Sequence, residues 1–278
     1  MKRQHQYIVH AFTKEVFTGN PAAICVVSAW PNDETMRLLA VENRLSETAF
    51  ALRLADEPGD AEAGTVRYQI RWFTPGGEID LCGHATLATS YVLFNYVEPQ
   101  ASRIEYTARG GAMTVTREGE GSDMLVVMDF PAYELHQVAV TPAMGEALGA
   151  MPVEAWMGRD LLCVFDDPAV VRGMTPDQQL LLGLDGLLCH VTAPGEAESG
   201  FDAVSRSFAP KHKVDEDPVC GTGHCHVVPF WAARTGRDQL LCYQASARGG
   251  VLHTRLAGDR VVLAGNAVLF SEGDVFLP

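Results

Sequence analysis

The chain has 278 residues, 47% hydrophobic and 20% charged, with a formal net charge of −14; that length suits one large domain or two medium ones, each with a sizeable core. A mean hydropathy of +0.03 excludes extended disorder, and no apolar run approaches the roughly 20 residues of a membrane helix. The acidic balance argues against nucleic acid and anionic membrane surfaces, which want a basic face, and leaves small acidic ligands open at a locally positive site.

In chain order, Met1 to Phe12 alternates like a strand and lacks the apolar core of a signal peptide, so a cytoplasmic protein is expected. Strand patterns follow at Ala22–Val27, Arg67–Phe73, Arg103–Thr116, Met124–Asp129 and Gly186–Thr192. Asn32, ahead of Asp33, Glu34 and the apolar Met36, Leu38, Leu39 and Val41, predicts a capped amphipathic helix. Ser46 predicts the start of another, with Phe50 and Leu54 on one face. Two more helices are expected just after Gly83 and Gly223. Leu240–Leu277 reads as a meander with turns at Arg248–Gly250, Gly258–Asp259 and Glu272–Asp274. Short strands outnumber helices and no βαβ rhythm appears, which points to an α+β fold. The glycines and charges of Arg117–Asp123 mark the expected boundary, dividing the chain into 1–120 and 121–264, with 265–278 returning to the first half.

An internal repeat organises this pattern. Arg71-Trp72-Phe73-Thr74-Pro75 leads through Glu78 to Cys82-Gly83-His84, and Arg206-Ser207-Phe208-Ala209-Pro210 leads through Glu216 to Cys220-Gly221-Thr222-Gly223. The two cysteines lie 138 residues apart, near half the chain. Two such copies at a half-chain offset predict duplicated halves with pseudo-twofold symmetry.

Seven cysteines are an odd number, and a reducing compartment makes each either core filler or chemistry. Cys25, Cys163, Cys189 and Cys242 sit in apolar runs and read as core. Cys82 and Cys220 precede helices, where unsatisfied amides and the helix dipole favour negative charge. A lowered thiol pKa is expected there, and Gly83, Gly221 and Gly223 should let backbone amides approach a substrate carboxylate. Facing each other across a cleft, the two thiols would be one base per face of a carbon. His224-Cys225-His226 has poor spacing for zinc, so no metal is expected and His226 and Cys225 read as helix packing.

These residues carry a resemblance. Val16-Phe17-Thr18-Gly19-Asn20-Pro21-Ala22, Asn43-Arg44-Leu45-Ser46-Glu47-Thr48-Ala49-Phe50, Ile79-Asp80-Leu81-Cys82-Gly83-His84-Ala85-Thr86, Glu216-Asp217-Pro218-Val219-Cys220-Gly221 and the tail near Gly249-Gly250 and Gly265-Asn266-Ala267-Val268 resemble the phenazine-biosynthesis isomerase (PhzF-like) family of the diaminopimelate epimerase fold. The resemblance implies two similar halves, each a barrel-like mixed sheet around a central helix. It also implies cofactor-free proton transfer in the cleft between them, on a small carboxylate-bearing substrate, in a homodimer. By the same resemblance Glu47 is the general acid/base, with His84 and Asp217 beside it and Asn20 and Thr222 at the site. The sequence departs from that family at Cys220, where threonine is usual. Its Cys-Gly-Thr-Gly is instead similar to diaminopimelate epimerase, while His84 stands where that enzyme has asparagine.

Three functions follow as alternatives. The first is an isomerase driven by Glu47, for which a dry cleft would raise the carboxyl pKa toward neutrality. The second is a two-base amino-acid racemase or epimerase using Cys82 and Cys220. The third is a binding protein without turnover.

Overall fold

A computed structural model describes all residues, 1–278. In chain order the elements are β1 (Lys2–Ala11), β2 (Asn20–Val27), α1 (Asp33–Asn43), β3 (Thr48–Arg53), β4 (Thr65–Thr74), β5 (Gly77–Ile79), α2 (Gly83–Val92), β6 (Arg103–Ala108), β7 (Gly111–Glu118), β8 (Leu125–Pro131), β9 (His136–Val138), α3 (Pro142–Leu148), β10 (Glu154–Met157), β11 (Leu161–Val164), α4 (Pro168–Gly173), α5 (Gln178–Leu181), β12 (Cys189–Pro194), β13 (Ala203–Ala209), β14 (Val214–Glu216), α6 (Gly221–Thr235), β15 (Gln239–Gln244), β16 (Gly250–Ala257), β17 (Arg260–Gly265) and β18 (Ala267–Leu277). The fold is α+β. The chain forms two compact units, Met1–Asp129 with Ala264–Pro278, and Phe130–Leu263. Arg117–Asp123 spans the end of β7 and a short 3-10 turn inside the first unit. No helix is long and apolar enough to cross a membrane.

In the first unit β1 pairs antiparallel with β2 and with β18. From there β2 runs parallel to β3, β3 antiparallel to β4, β4 antiparallel to β5 and parallel to β6, and β6 antiparallel to β7. The second unit repeats the plan. There β10 pairs antiparallel with β11, β11 parallel with β12, β12 antiparallel with β13, β13 antiparallel with β14 and parallel with β15, and β15 antiparallel with β16. The crossovers also correspond, since α2 links β5 to β6 and α6 links β14 to β15. The duplication is therefore topological as well as sequential. It extends to contacts. Arg71 forks onto Glu78 at 2.7 Å twice and lies 5.1 Å from the Phe73 ring centre. Arg206 forks onto Glu216 at 2.8 Å twice and lies 5.0 Å from the Phe208 ring centre.

Both α2 and α6 are buried on nearly every face, the signature of a helix wrapped by other elements rather than lying on a surface. The hydroxyls this buries in α2 are satisfied locally: Thr86, Thr89 and Ser90 donate to the carbonyls of Cys82, Ala85 and Thr86. Asn32 caps α1 by accepting from Thr35 N, and Arg44, at φ +53°, ends it. Gly19 is required as glycine, because φ is +67° and a Cβ there would sit 2.3 Å from the Ala11 carbonyl oxygen.

Two sequence expectations need correction. The segment after Ser46 is strand β3, not a helix. Thr48 to Ala51 are buried on both faces between β2 and β4, which removes the alternation that identifies a half-buried strand. Glu272-Gly273-Asp274 is not a turn either. It continues β18, with Glu272 opposite Tyr7 and Asp274 opposite His5. The break in the tail falls at Asn266.

Candidate active site

In the first unit three predicted residues converge. Glu47 ends the loop that feeds β3, tied down where its carbonyl accepts from Ala23 N at 3.3 Å. Cys82 caps the N-terminus of α2 with extended backbone, and His84 lies in the first turn. Their ligand atoms all lie within 4.8 Å of one another. His84 Nε2 is 3.1 Å from Glu47 Oε2, and His84 Nδ1 is 3.5 Å from Cys82 Sγ. Cys82 and His84 are buried, whereas the Glu47 side chain keeps 14% exposure. The carboxylate is thus the member of the cluster most open to an incoming ligand.

The electrostatics follow from that geometry and reverse one expectation. Burial alone would raise Glu47, but the charge and hydrogen bond of His84, with bonds to Ser46 and Cys82, hold its carboxyl below the ordinary value. Burial would lower His84, yet Cys82 and Glu47 together hold the imidazole well above its ordinary value. The Cys82 thiol is pushed up by burial first and by the Glu47 charge second. Glu47 is thus shifted toward the carboxylate, His84 toward the imidazolium and Cys82 toward the neutral thiol. The expected raised carboxyl fails because the dry site comes with a resident cation.

In the second unit Cys220 caps α6, and Gly223 N–H donates to its Sγ at 3.3 Å. Cys220 N–H donates to Gln244 Oε1 at 2.8 Å, and Gln244 Nε2 to the Asp217 carbonyl at 2.6 Å. Asp217 Oδ1 accepts from Val219 N. The Cys220 thiol also lies well above its ordinary value, through burial and then the Asp217 charge. Both helix-end thiols were expected to be acidic. The dipole effect of a helix start is outweighed in both by desolvation.

The glycines differ in role. A Cβ on Gly223 would lie 2.8 Å from Ser207 Oγ and 2.9 Å from His190 Nδ1, so this glycine lets α6 pack on the sheet rather than admitting a ligand. A Cβ on Gly221 would meet Leu263 Cδ1 at an ordinary 3.5 Å. Gly83 opens α2, and Asn20 opens β2 fully buried.

The repeat shows that the two copies are chemically unequal. Thr48 pairs with Phe73 in the first, and Cys189 with Phe208 in the second. Glu47 therefore corresponds to Leu188, which packs with Ala209 and Cys220 in an apolar cluster. The acid exists in one copy only.

His224 and His226 belong to hydrogen-bonding arrangements. His226 Nδ1 donates to the Thr222 carbonyl and its Nε2 accepts from Asp160 N–H. His224 Nδ1 donates to the Cys220 carbonyl. Burial lowers His226 to about 3 and His224 to about 4. His226 shares with His190 and Asp160 a set of donor atoms within 4.8 Å, but its lone pair is already committed to a main-chain amide. Asp160, His190 and Ser207 form a fully buried polar line that sequence reasoning missed. The signal was a histidine inside the apolar Gly186–Thr192 run.

A sequence model of the family described as phenazine biosynthesis-like protein (PhzC-PhzF) matches residues 9–273. The chain belongs to that family. An uncharacterized isomerase of Pseudomonas aeruginosa is 43% identical over 270 residues, 97% of each chain. A PhzF-family phenazine biosynthesis protein of Enterococcus faecalis superposes with a TM-score of 0.91 at 41% identity, covering 99% of this chain and 100% of its own. A hydroxyproline epimerase of Agrobacterium vitis, at 12% identity, shares the fold with a TM-score of 0.59 over 99% of this chain and 91% of its own. The phenazine biosynthesis-like chain is thus an isomerase by kinship, on an epimerase-type fold.

Proposed function

We propose that this isomerase moves a proton between carbons of a small carboxylate-bearing substrate without a cofactor, with Glu47 as the base. The observation that carries the reading is the buried Glu47–His84 contact at 3.1 Å. His84 keeps the carboxylate ionised in a site that would otherwise neutralise it, so Glu47 begins the cycle ready to accept a proton from an acidic C–H. The proton then sits on Glu47 beside an imidazolium, which favours its return to the substrate at another position. Asn20, Gly83, Asp217, Gly221 and Thr222 enter the proposal as substrate-holding residues.

The two-thiol racemase is the second reading, favoured by the matched placement of Cys82 and Cys220 at helix starts. It needs a thiolate on at least one side, and both thiols are shifted toward the neutral form. Incubation of candidate carboxylates in deuterated water separates the two. The Glu47 reading expects label at a carbon whose double bond or hydrogen has shifted, whereas racemisation places label at the α-carbon with inversion.

A further inference from the structure

Three donors of different chemistry meet at the start of α2. A Glu47 carboxylate oxygen, the Cys82 sulfur and one His84 ring nitrogen all lie within 4.8 Å of one another. Two residues one apart on a helix normally point to different faces. Cys82 escapes that rule because it caps α2 with extended backbone, at φ −145° and ψ 111°, while His84 lies inside the first turn. Their side chains converge, with Sγ 3.5 Å from Nδ1. Glu47 completes the set from the loop before β3, its Oε2 3.1 Å from His84 Nε2. Beyond that approach to each other, these two buried atoms have no hydrogen-bond partner. The His84 side chain is only 7% exposed, so its Nε2 is a buried donor atom aimed into the cluster, the kind of atom that an ion or ligand satisfies.

The second unit offers a contrast. Asp160, His190 and His226 also bring donor atoms within 4.8 Å of one another, but there the atoms are spent. His226 Nε2 accepts from the Asp160 N–H. One Asp160 oxygen accepts from the N–H groups of Leu187 and Leu188, and the other faces Arg159. The first-unit set has no counterpart at the matching helix start either. Leu188 corresponds to Glu47, and Thr222, two residues after Cys220, stands where His84 follows Cys82.

We propose that Glu47, Cys82 and His84 bind a thiophilic divalent cation of the zinc class, and that the bound ion inhibits the protein by occupying the Glu47 carboxylate. Zinc takes thiolate, imidazole and carboxylate ligands at about 2.0–2.3 Å, which sets tetrahedral donors about 3.3–3.7 Å apart. The spacings at this cluster reach that range through side-chain rotation, with the main chain in place. A thiolate and a carboxylate cancel the charge of a divalent ion, and a neutral set is what a buried site can hold. On binding, the Cys82 thiol proton and any proton on the coordinating nitrogen pass to water. Glu47, whose side chain is 14% exposed, is the side from which the ion enters. Binding stands on this geometry alone, whereas inhibition rests on the reading of Glu47 as the base.

Titration of the whole protein with cobalt(II), read by its sulfur-to-cobalt charge-transfer absorption, reports the site directly, and zinc should displace the cobalt. The expected result is one equivalent bound, with the band lost in Cys82→Ser and kept in Cys220→Ser. Changes outside the ligand set commonly cost 10–100-fold in metal affinity, so Glu47→Gln and His84→Gln should each weaken binding by at least about 100-fold. X-ray absorption of the zinc-bound wild type should count a single sulfur, a result that depends on no variant folding. Absence of the band at one equivalent, its survival in Cys82→Ser, or more than one sulfur at the zinc overturns the proposal. Zinc should also stop solvent deuterium exchange into a turned-over substrate, and a chelator should restore it. One bound zinc with this ligand dependence and undiminished exchange would uphold the site and overturn Glu47 as the base. No bound metal, with exchange lost in folded Glu47→Gln, would do the reverse.

Discussion

His84 Nε2 and Glu47 Oε2 face each other at 3.1 Å, and neither atom has another hydrogen-bond partner. Each group shifts the other toward its charged form, with Cys82 acting on both and Ser46 on Glu47.

Glu47 is depressed in the folded protein, so its contribution to stability is present above its ordinary value of 4.5 and is lost as pH falls through the folded value. His84 is raised, so its contribution is complete below 6.5 and is lost as pH rises through a folded value well above that. Activity should follow a bell whose acid limb reports Glu47 and whose alkaline limb reports His84. In His84→Gln the acid limb should move upward, because burial then acts on Glu47 with the imidazolium charge gone and only the Ser46 and Cys82 hydrogen bonds opposing it. A pH–rate profile of this variant checks the direction, and an unmoved acid limb would contradict the pairing.

Cys82 is placed as a neutral partner of the pair rather than as a base. Cys82→Ser keeps a small donor beside His84 and should retain most activity, while Cys82→Ala, which leaves His84 Nδ1 without its partner, should lose more. Turnover of the two variants under one condition checks the order. Under a two-thiol mechanism serine would be as damaging as alanine, since its hydroxyl is far less acidic than a thiol.

Arg206 is mostly buried, forks onto Glu216 and also donates to the Met174 carbonyl at 2.6 Å. Arg206→Ala leaves Glu216 unpaired and should destabilise the protein by about 3 kcal/mol. Urea unfolding checks the value. Arg71→Ala, its repeat counterpart, should behave similarly because it strands Glu78 in the same way.

Gly223→Ala should destabilise by about 1–3 kcal/mol, because the added methyl meets Ser207 and His190 inside 3.0 Å. Gly221→Ala, with ordinary contact at 3.5 Å, should cost far less. Thermal melts of the two variants make the comparison.

The family, the α+β class and the cysteine at the start of each central helix were legible because each has a local signature. Cys-Gly before an apolar helical run marks Cys82 and Cys220, and the Arg-x-Phe-x-Pro repeat marks Arg71 and Arg206. Other features depend on burial, which no local pattern reports. Strand β3 loses its alternation because both faces are covered. The thiols are raised rather than lowered because desolvation exceeds the helix dipole. Glu47 is lowered rather than raised because its neighbour across the chain is His84. Asp160 and Ser207 are 47 positions apart and meet only through His190 on the strand between them. The correspondence of Glu47 with Leu188 needed the strand register, since the surrounding residues share no motif.

The central claim is that Glu47, and not the cysteine pair, carries the proton. It is tested most directly by comparing Glu47→Gln and Cys220→Thr with the wild type for solvent deuterium incorporation into one turned-over substrate, with circular dichroism confirming that each variant folds. The account predicts that Glu47→Gln loses about 10²–10⁴-fold in exchange rate while Cys220→Thr stays within a few-fold of wild type. Near-normal exchange in folded Glu47→Gln, together with loss of exchange in Cys220→Thr, would contradict it.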